Sequence, residues 1–119
     1  MAPLSSGIDI VSISRIRRLS GNESFLDRVF TTNERACASA RRRPWRHLAG
    51  RFAAKEAVMK ALGAGWGQGA SWKEIEVVTD GGRPRVKLHR VTEALLKGRR
   101  ISLSISYADE FAAAFAVVE

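Results

Sequence analysis

The stretch Ala49-Gly50-Arg51-Phe52-Ala53-Ala54-Lys55-Glu56-Ala57-Val58-Met59-Lys60-Ala61-Leu62-Gly63 constrains this chain more than any other segment. Its spacing predicts a helix that opens at Pro44, a position that suits proline, and stops at Gly63. At about 100° per residue, Glu56 projects between Phe52 and Ala49, within an otherwise apolar stripe, and Lys60 follows one turn later, slightly to the side. An unpaired carboxylate is costly to bury, so Glu56 there calls for a metal or a cation. An ordinary Glu56–Lys60 pair on a solvated face is the competing reading, worth a few tenths of a kcal/mol.

At 119 residues the chain is read as one domain, 1–119, with core enough to fold but little surplus for a deep cleft of its own. A site shared between copies fits that size. The balance of 45% hydrophobic and 27% charged residues belongs to a globular protein rather than a disordered one. The lone Cys37 offers no internal disulfide, residues 1–6 lack a signal-peptide pattern, and no run is long enough to span a membrane, so a cytoplasmic protein is expected. The net charge of +8 is uneven: residues 1–60 hold 12 Lys and Arg against 5 Asp and Glu, and residues 61–119 hold 8 against 7. The excess gathers at Arg15, Arg17, Arg18, Arg28, Arg35, Arg41, Arg42, Arg43 and Arg46. Such a surface attracts nucleic acid, an acidic protein or a phosphate-rich small molecule.

Local patterns predict an α+β fold with an antiparallel sheet. Gly7 to Ile13 reads as an opening strand that contains Asp9. Ser14 is expected to cap a short helix through Leu19, Phe25 to Val29 to form another, and Thr31-x-x-Glu34 to open a third that runs to about Arg42. The series Gly63, Gly65, Gly67, Gly69 follows a helix instead of leading into one, so it reads as a flexible connection rather than a phosphate loop. A hairpin pairs Ile75–Val78 with Arg85–His89 across a turn at 79–82, with Pro84 near the edge, and Val91 to Lys97 reads as helix. Ile101 to Tyr107 alternates apolar residues with three serines, and Phe111 to Val118 is apolar on both faces, which predicts a central strand or a subunit contact.

Asp9 and Glu56 are thus two acids among apolar neighbours. A pair of carboxylates is how Mg²⁺ is commonly held, because the ion keeps several waters and shares oxygens with a substrate's phosphates. No Cys/His cluster suggests zinc, His47 and His89 being isolated, and no nucleophilic triad is evident around Cys37. Metal-assisted phosphate chemistry is the sharper expectation.

The chain resembles the holo-[acyl-carrier-protein] synthases, the small 4′-phosphopantetheinyl transferases. The resemblance rests on Gly7-Ile8-Asp9-Ile10-Val11 with Arg15-Ile16, Phe25-x-x-Arg28-Val29-Phe30-Thr31-x-x-Glu34, Leu48 to Ala57 with Lys60-Ala61-Leu62-Gly63, Gly82-Arg83-Pro84 and Ser104-Ile105-Ser106. These blocks cover nearly the whole chain in the family's order. The resemblance implies an antiparallel sheet wrapped by a long helix and shorter helices, in a homotrimer with active sites between subunits. It implies transfer of 4′-phosphopantetheine from coenzyme A to a serine of an acidic acyl carrier protein of fatty-acid or polyketide synthesis, releasing adenosine 3′,5′-bisphosphate. Asp9 and Glu56 match the family's Mg²⁺ ligands, with Mn²⁺ as an alternative ion, and Lys60 matches the lysine beside the pyrophosphate. Arg51, Gly82, Arg83 and Pro84, with Ser106 and Tyr107, match positions near coenzyme A. Arg15 and Arg28 match residues that face the carrier protein. Deprotonation of the incoming serine falls to Glu56 or to a metal-held water.

The resemblance breaks at Tyr107, where the family's strand usually carries histidine. A phenol is neutral near physiological pH, so the charge of an imidazolium is lost at that position. Tyr107→His is accordingly expected to tighten coenzyme A binding. Two other readings compete: a catalytically weak relative that only binds carrier protein or coenzyme A, and a basic nucleic-acid-binding module. The second leaves Asp9 and Glu56 without a role and lacks an aromatic series at stacking spacing, Trp45, Trp66 and Trp72 being assigned to core or interface.

Overall fold

The computed structural model describes residues 4–63 and 71–119. Gly65, Gly67, Gly69 and Trp66 therefore lie outside the described residues. Among the described residues eleven elements follow one another: β1 (Ser5–Ser12), α1 (Ile13–Leu19), α2 (Glu23–Val29), α3 (Thr32–Ser39), α4 (Pro44–Leu62), a 3₁₀ turn (Trp72–Glu74), β2 (Ile75–Asp80), β3 (Arg83–Leu88), α5 (Arg90–Leu96), β4 (Ile101–Ala108) and β5 (Phe111–Val118). The strands form two antiparallel sheets instead of one: a three-stranded sheet of order β1-β5-β4 and a separate β2–β3 hairpin. The apolar last strand is central, as its composition predicts.

Small residues bring α4 flush against the three-stranded sheet. Ala112, Ala114, Ala116 and Val118 of β5 are buried, opposite Ala53, Ala54, Ala57 and Ala61 of α4. Gly7 of β1 permits the closest approach, because a Cβ there would overlap the Ala57 carbonyl oxygen and lie 2.8 Å from the Lys60 Cβ. The Ser5 hydroxyl donates to the Ala61 carbonyl and fixes the same register. Ile16, Phe30, Val58 and Ile75 are fully buried around this contact, each worth roughly 1.5–3 kcal/mol of apolar transfer.

Several boundaries differ from expectation. Ser12, not Ser14, caps α1 by accepting from the Arg15 amide at 3.2 Å, because Ile13 must turn into the core as the first helical residue. The capping box of Thr31 and Glu34 forms, but α3 ends at Ser39 instead of Arg42. Three successive arginines followed by Pro44 disfavour its continuation. The hairpin closes on Gly81 and Gly82 alone, with φ of 60° and 84°, so Thr79, Asp80, Arg83 and Pro84 all belong to strands.

A buried ion pair joins α3, α4 and β2. Lys55 Nζ lies 2.8 Å from Glu34 Oε1 and also donates to the carbonyls of Trp72 at 2.8 Å and Ile75 at 2.6 Å. Glu34 accepts from the Thr31 amide at 2.9 Å and the Val77 amide at 2.7 Å. Burial pulls the Lys55 ammonium below its ordinary pKa, while Glu34 opposes that shift. Both charges are fully hydrogen-bonded, the condition under which such a pair is tolerated in a core.

Candidate functional site

The helix α4 is not a simple amphipathic helix with one buried stripe. It is buried on most sides, and Phe52, Glu56 and Lys60 form its open line, one turn apart, with Glu56 half-buried and Lys60 exposed. Glu56 therefore faces a seam rather than the core. An alanine-rich helix leaves periodicity little power to choose a face, which is why the sequence pattern points Glu56 inward. The competing Glu56–Lys60 pair does not form. Lys60 Nζ instead bonds Asp9 Oδ1 at 3.2 Å and the Ile8 carbonyl at 2.9 Å, and Glu56 Oε1 accepts from the Trp72 indole at 3.0 Å. Trp72 is held in turn by Phe52, ring centroids 5.9 Å apart, and by the Lys55 ammonium on its carbonyl.

Gly7 creates this seam. With β1 pressed on α4 at Gly7, the strand's alternation turns Asp9 to the same side, two residues on, beside Lys60. Asp9 is only partly buried, its side chain 19% exposed. Among the described residues, no group of three or more His, Cys, Asp or Glu is placed to hold a metal. The donor set at this seam is two half-buried carboxylates and nothing softer. That set fits Mg²⁺, which retains waters and takes few protein oxygens.

The flank around the N-terminal end of α4 is different in kind. A cavity of about 620 Å³ is lined by Arg41, Arg42, Arg43, Arg46, His47 and Arg51, with Thr79, Gly82 and Pro84 of the hairpin and Ile105 and Tyr107 of β4. Arg51 is buried and donates to Thr79 Oγ1 at 2.7 Å, tying the helix to β2. The first turn of α4 carries no acidic residue, although carboxylates are favoured at a helix N-terminus. So many cations beside a positive helix end make a strong anion site. His47 is kept neutral there, its pKa pushed down to about 4 by burial and by the nearby charges of Arg51 and Arg41. Its Nε2 is buried without a hydrogen-bond partner among the described residues.

The structure thus groups Asp9, Glu56 and Lys60 along one line, and Arg51, Gly82, Pro84 and Tyr107 around one cavity. Four expected residues stand apart from these groups. Arg83 is exposed on the hairpin opposite Asp80, and Ser106 projects from the other face of β4 than Tyr107 does, onto the exposed side of the sheet. Arg15 and Arg28 are exposed on α1 and α2. Residues 41–43 and 46 stand out in the sequence only as surplus charge, and their convergence with the hairpin and β4 depends on long-range packing. His89, expected to be isolated, bonds Glu76 at 3.0 Å. Burial alone would raise the Glu76 pKa, but hydrogen bonds from Thr31, His89 and Asn33 outweigh it and hold the carboxyl below its usual value.

The outer face of the three-stranded sheet is apolar and open. Ile8 and Ile10 of β1 lie level with Phe115 and Ala113 of β5, and with Ser104 and Ser106 of β4. Ile8, Ile10, Phe111 and Phe115 are between 45% and 66% exposed. No helix among the described residues is long and apolar enough to cross a membrane.

Known proteins share this fold. The family model of the 4′-phosphopantetheinyl transferase superfamily matches residues 5–116. A holo-[acyl-carrier-protein] synthase of Moorella thermoacetica is 49% identical over 121 aligned positions, covering 98% of this chain and 94% of that protein. Among solved structures, holo-[acyl-carrier-protein] synthase from Neisseria meningitidis superposes with a TM-score of 0.88 at 36% identity, covering 97% of each chain. The Bacillus anthracis holo-(acyl-carrier-protein) synthase, solved in complex with CoA (3′,5′-ADP), gives 0.83 at 38% identity, over 97% of this chain and 95% of that one.

Proposed function

Because the chain belongs to the 4′-phosphopantetheinyl transferase superfamily, we propose that it transfers 4′-phosphopantetheine from coenzyme A to a serine hydroxyl of an apo acyl carrier protein. The observation that carries this reading is the pairing, on one helix, of an arginine-lined anion cavity with a seam of two carboxylates and a lysine. The serine oxygen attacks the phosphorus that bears pantetheine, the bridging P–O bond of the diphosphate breaks, and adenosine 3′,5′-bisphosphate leaves. The serine proton passes to Glu56 or to water.

The cavity side chains bind the nucleotide. Arg51, fixed by Thr79, and the arginines of residues 41–43 neutralise its phosphates, while Gly82 and Pro84 form a wall against which a nucleoside packs. Asp9 and Glu56 hold Mg²⁺, with Mn²⁺ as an alternative, and that ion supplies charge neutralisation at the diphosphate. Lys60, anchored by Asp9 and the Ile8 carbonyl, is placed to stabilise the departing phosphate. Trp72 orients the Glu56 carboxylate. Phosphoryl transfer depends mainly on such positioning and electrostatics, so no covalent nucleophile is required of the protein. Arg15 and Arg28, both exposed, draw in the acidic carrier, with an encounter rate that falls as salt rises.

The cavity and the carboxylate seam are two halves of a site completed by a neighbouring copy. Arg51 and Lys60 are nine positions apart on α4, which turns them about 180° away from each other around its axis. The cavity lining includes neither Asp9 nor Glu56 nor Lys60. The open apolar sheet face supplies a surface for assembly, and a homotrimer is the proposed form. A cytoplasmic location belongs to the same proposal, supported by the unpaired Cys37.

The experiment is to incubate the protein with Mg²⁺, coenzyme A and apo acyl carrier protein, and weigh the carrier by intact mass spectrometry. The carrier gains one phosphopantetheine per serine site. An unmodified carrier, from fatty-acid and polyketide systems alike, refutes the reading.

A further inference from the structure

Two residues that line the anion cavity, Arg46 and Tyr107, form a unit with Gly50 that the nucleotide reading leaves unexplained. Gly50 and Arg46 lie one turn apart on α4, and Tyr107 reaches them from β4. A Cβ on Gly50 would overlap the Tyr107 hydroxyl and lie 2.8 Å from Cζ, so the hydroxyl end of the ring is lodged over the missing side chain. The ring face is covered by Arg46, whose Cζ lies 4.1 Å from the ring centroid. Among the described residues no carboxylate forms an ion pair with Arg46, and it lines the cavity with four other arginines. A guanidinium stacked on an aromatic ring keeps its N–H donors in its own plane, free at the edges for a planar acceptor such as phosphate.

We propose that Tyr107 is a positioning residue that holds the Arg46 guanidinium across its ring, so that Arg46 donates to a phosphate of the bound nucleotide. The proposal rests on coenzyme A being the ligand of the cavity. The phenol is then a platform and not a phosphate donor, and the cation that a histidine would bring to this position comes from Arg46 instead. Replacing Tyr107 by histidine exchanges the phenol ring that orients Arg46 for a smaller ring that repels the guanidinium when protonated, and so does not tighten binding. The contacted group is either the 3′-phosphate or the diphosphate, which share the same donor requirement.

The test is calorimetric titration of the whole protein with coenzyme A and, separately, with 3′-dephospho-coenzyme A. The proteins compared are the wild type, Arg46→Met, Tyr107→Ala, Tyr107→Phe and the Arg46→Met/Tyr107→Ala double variant. Arg46→Met is expected to weaken coenzyme A binding by roughly tenfold or more, the value of one charge-assisted hydrogen bond. Tyr107→Ala weakens it by about three- to tenfold, Tyr107→Phe recovers most of that loss, and the double variant is no weaker than Arg46→Met because the two residues act as one. A loss confined to coenzyme A assigns the contact to the 3′-phosphate, and a loss with both ligands assigns it to the diphosphate; each sustains the proposal. Arg46→Met binding within twofold of wild type overturns it, as does Tyr107→Phe binding as weakly as Tyr107→Ala, or additive losses in the double variant. Failure of the wild type to bind coenzyme A at all would strike the proposed function instead.

Discussion

The two flanks of α4 are built to opposite specifications. One holds its charges in balance: Lys60 is shared by Asp9 and a carbonyl, and Glu56 by an indole, in a half-open seam. The other is deliberately unbalanced, with five arginines, a histidine kept neutral and no acid in the first helical turn. A balanced cluster of carboxylates and ammonium can exchange one partner for a cation or a phosphate at little cost. An unbalanced cluster is completed only by an external anion. Under the proposed function, the contrast gives the chemistry to the first flank and most of the ligand affinity to the second.

Substitutions that separate kcat from KM break that contrast or sharpen it. On the carboxylate flank, Asp9→Asn or Glu56→Gln is expected to lower kcat by about 10³-fold. The melting temperature should move little, because the Lys60–Asp9 pair is partly exposed and worth at most about 1 kcal/mol. Steady-state rates and a thermal melt check both halves of that statement, and full turnover by either variant would remove the carboxylates from the mechanism. On the arginine flank, Arg51→Met should raise KM for coenzyme A by about tenfold or more, with a smaller effect on kcat. A pure kcat defect there would erase the division of labour.

A smaller effect is visible in stability against pH. The His47 pKa of about 4 lies below the 6.5 of an unfolded histidine. Between those values the unfolded chain binds the extra proton, so this group's contribution to stability falls as pH drops from about 6.5 to about 4, then levels off. His47→Gln should lose less melting temperature than the wild type over that window. Parallel curves for the two proteins would mean that His47 is not held neutral.

The bounds of α4 are written locally, in Pro44 and Gly63, and so is the capping box of Thr31 and Glu34, since each depends on neighbours within one turn. Asp9 and Glu56 are also legible as acids out of place among apolar residues. Their partners are not, because Trp72 and the β1–α4 contact through Gly7 come from chain segments far apart in sequence. Tyr107 marks the same limit. The sequence shows an imidazole replaced by a phenol and suggests a missing charge, but only the packed structure brings Arg46 onto that ring. The buried Lys55–Glu34 pair joins two residues that the local pattern treats separately, one as a cap and one as part of a motif.

The most direct test of two half-sites meeting between copies is complementation. Glu56→Gln and Arg51→Met chains, each impaired alone, are co-expressed with different tags, purified as mixed assemblies and assayed by carrier mass. If the carboxylate seam of one copy works with the arginine cavity of its neighbour, the mixed assembly contains some sites free of either substitution and recovers a substantial part of wild-type activity. Mixed assemblies no more active than the two parents would place both halves within a single chain and contradict the account.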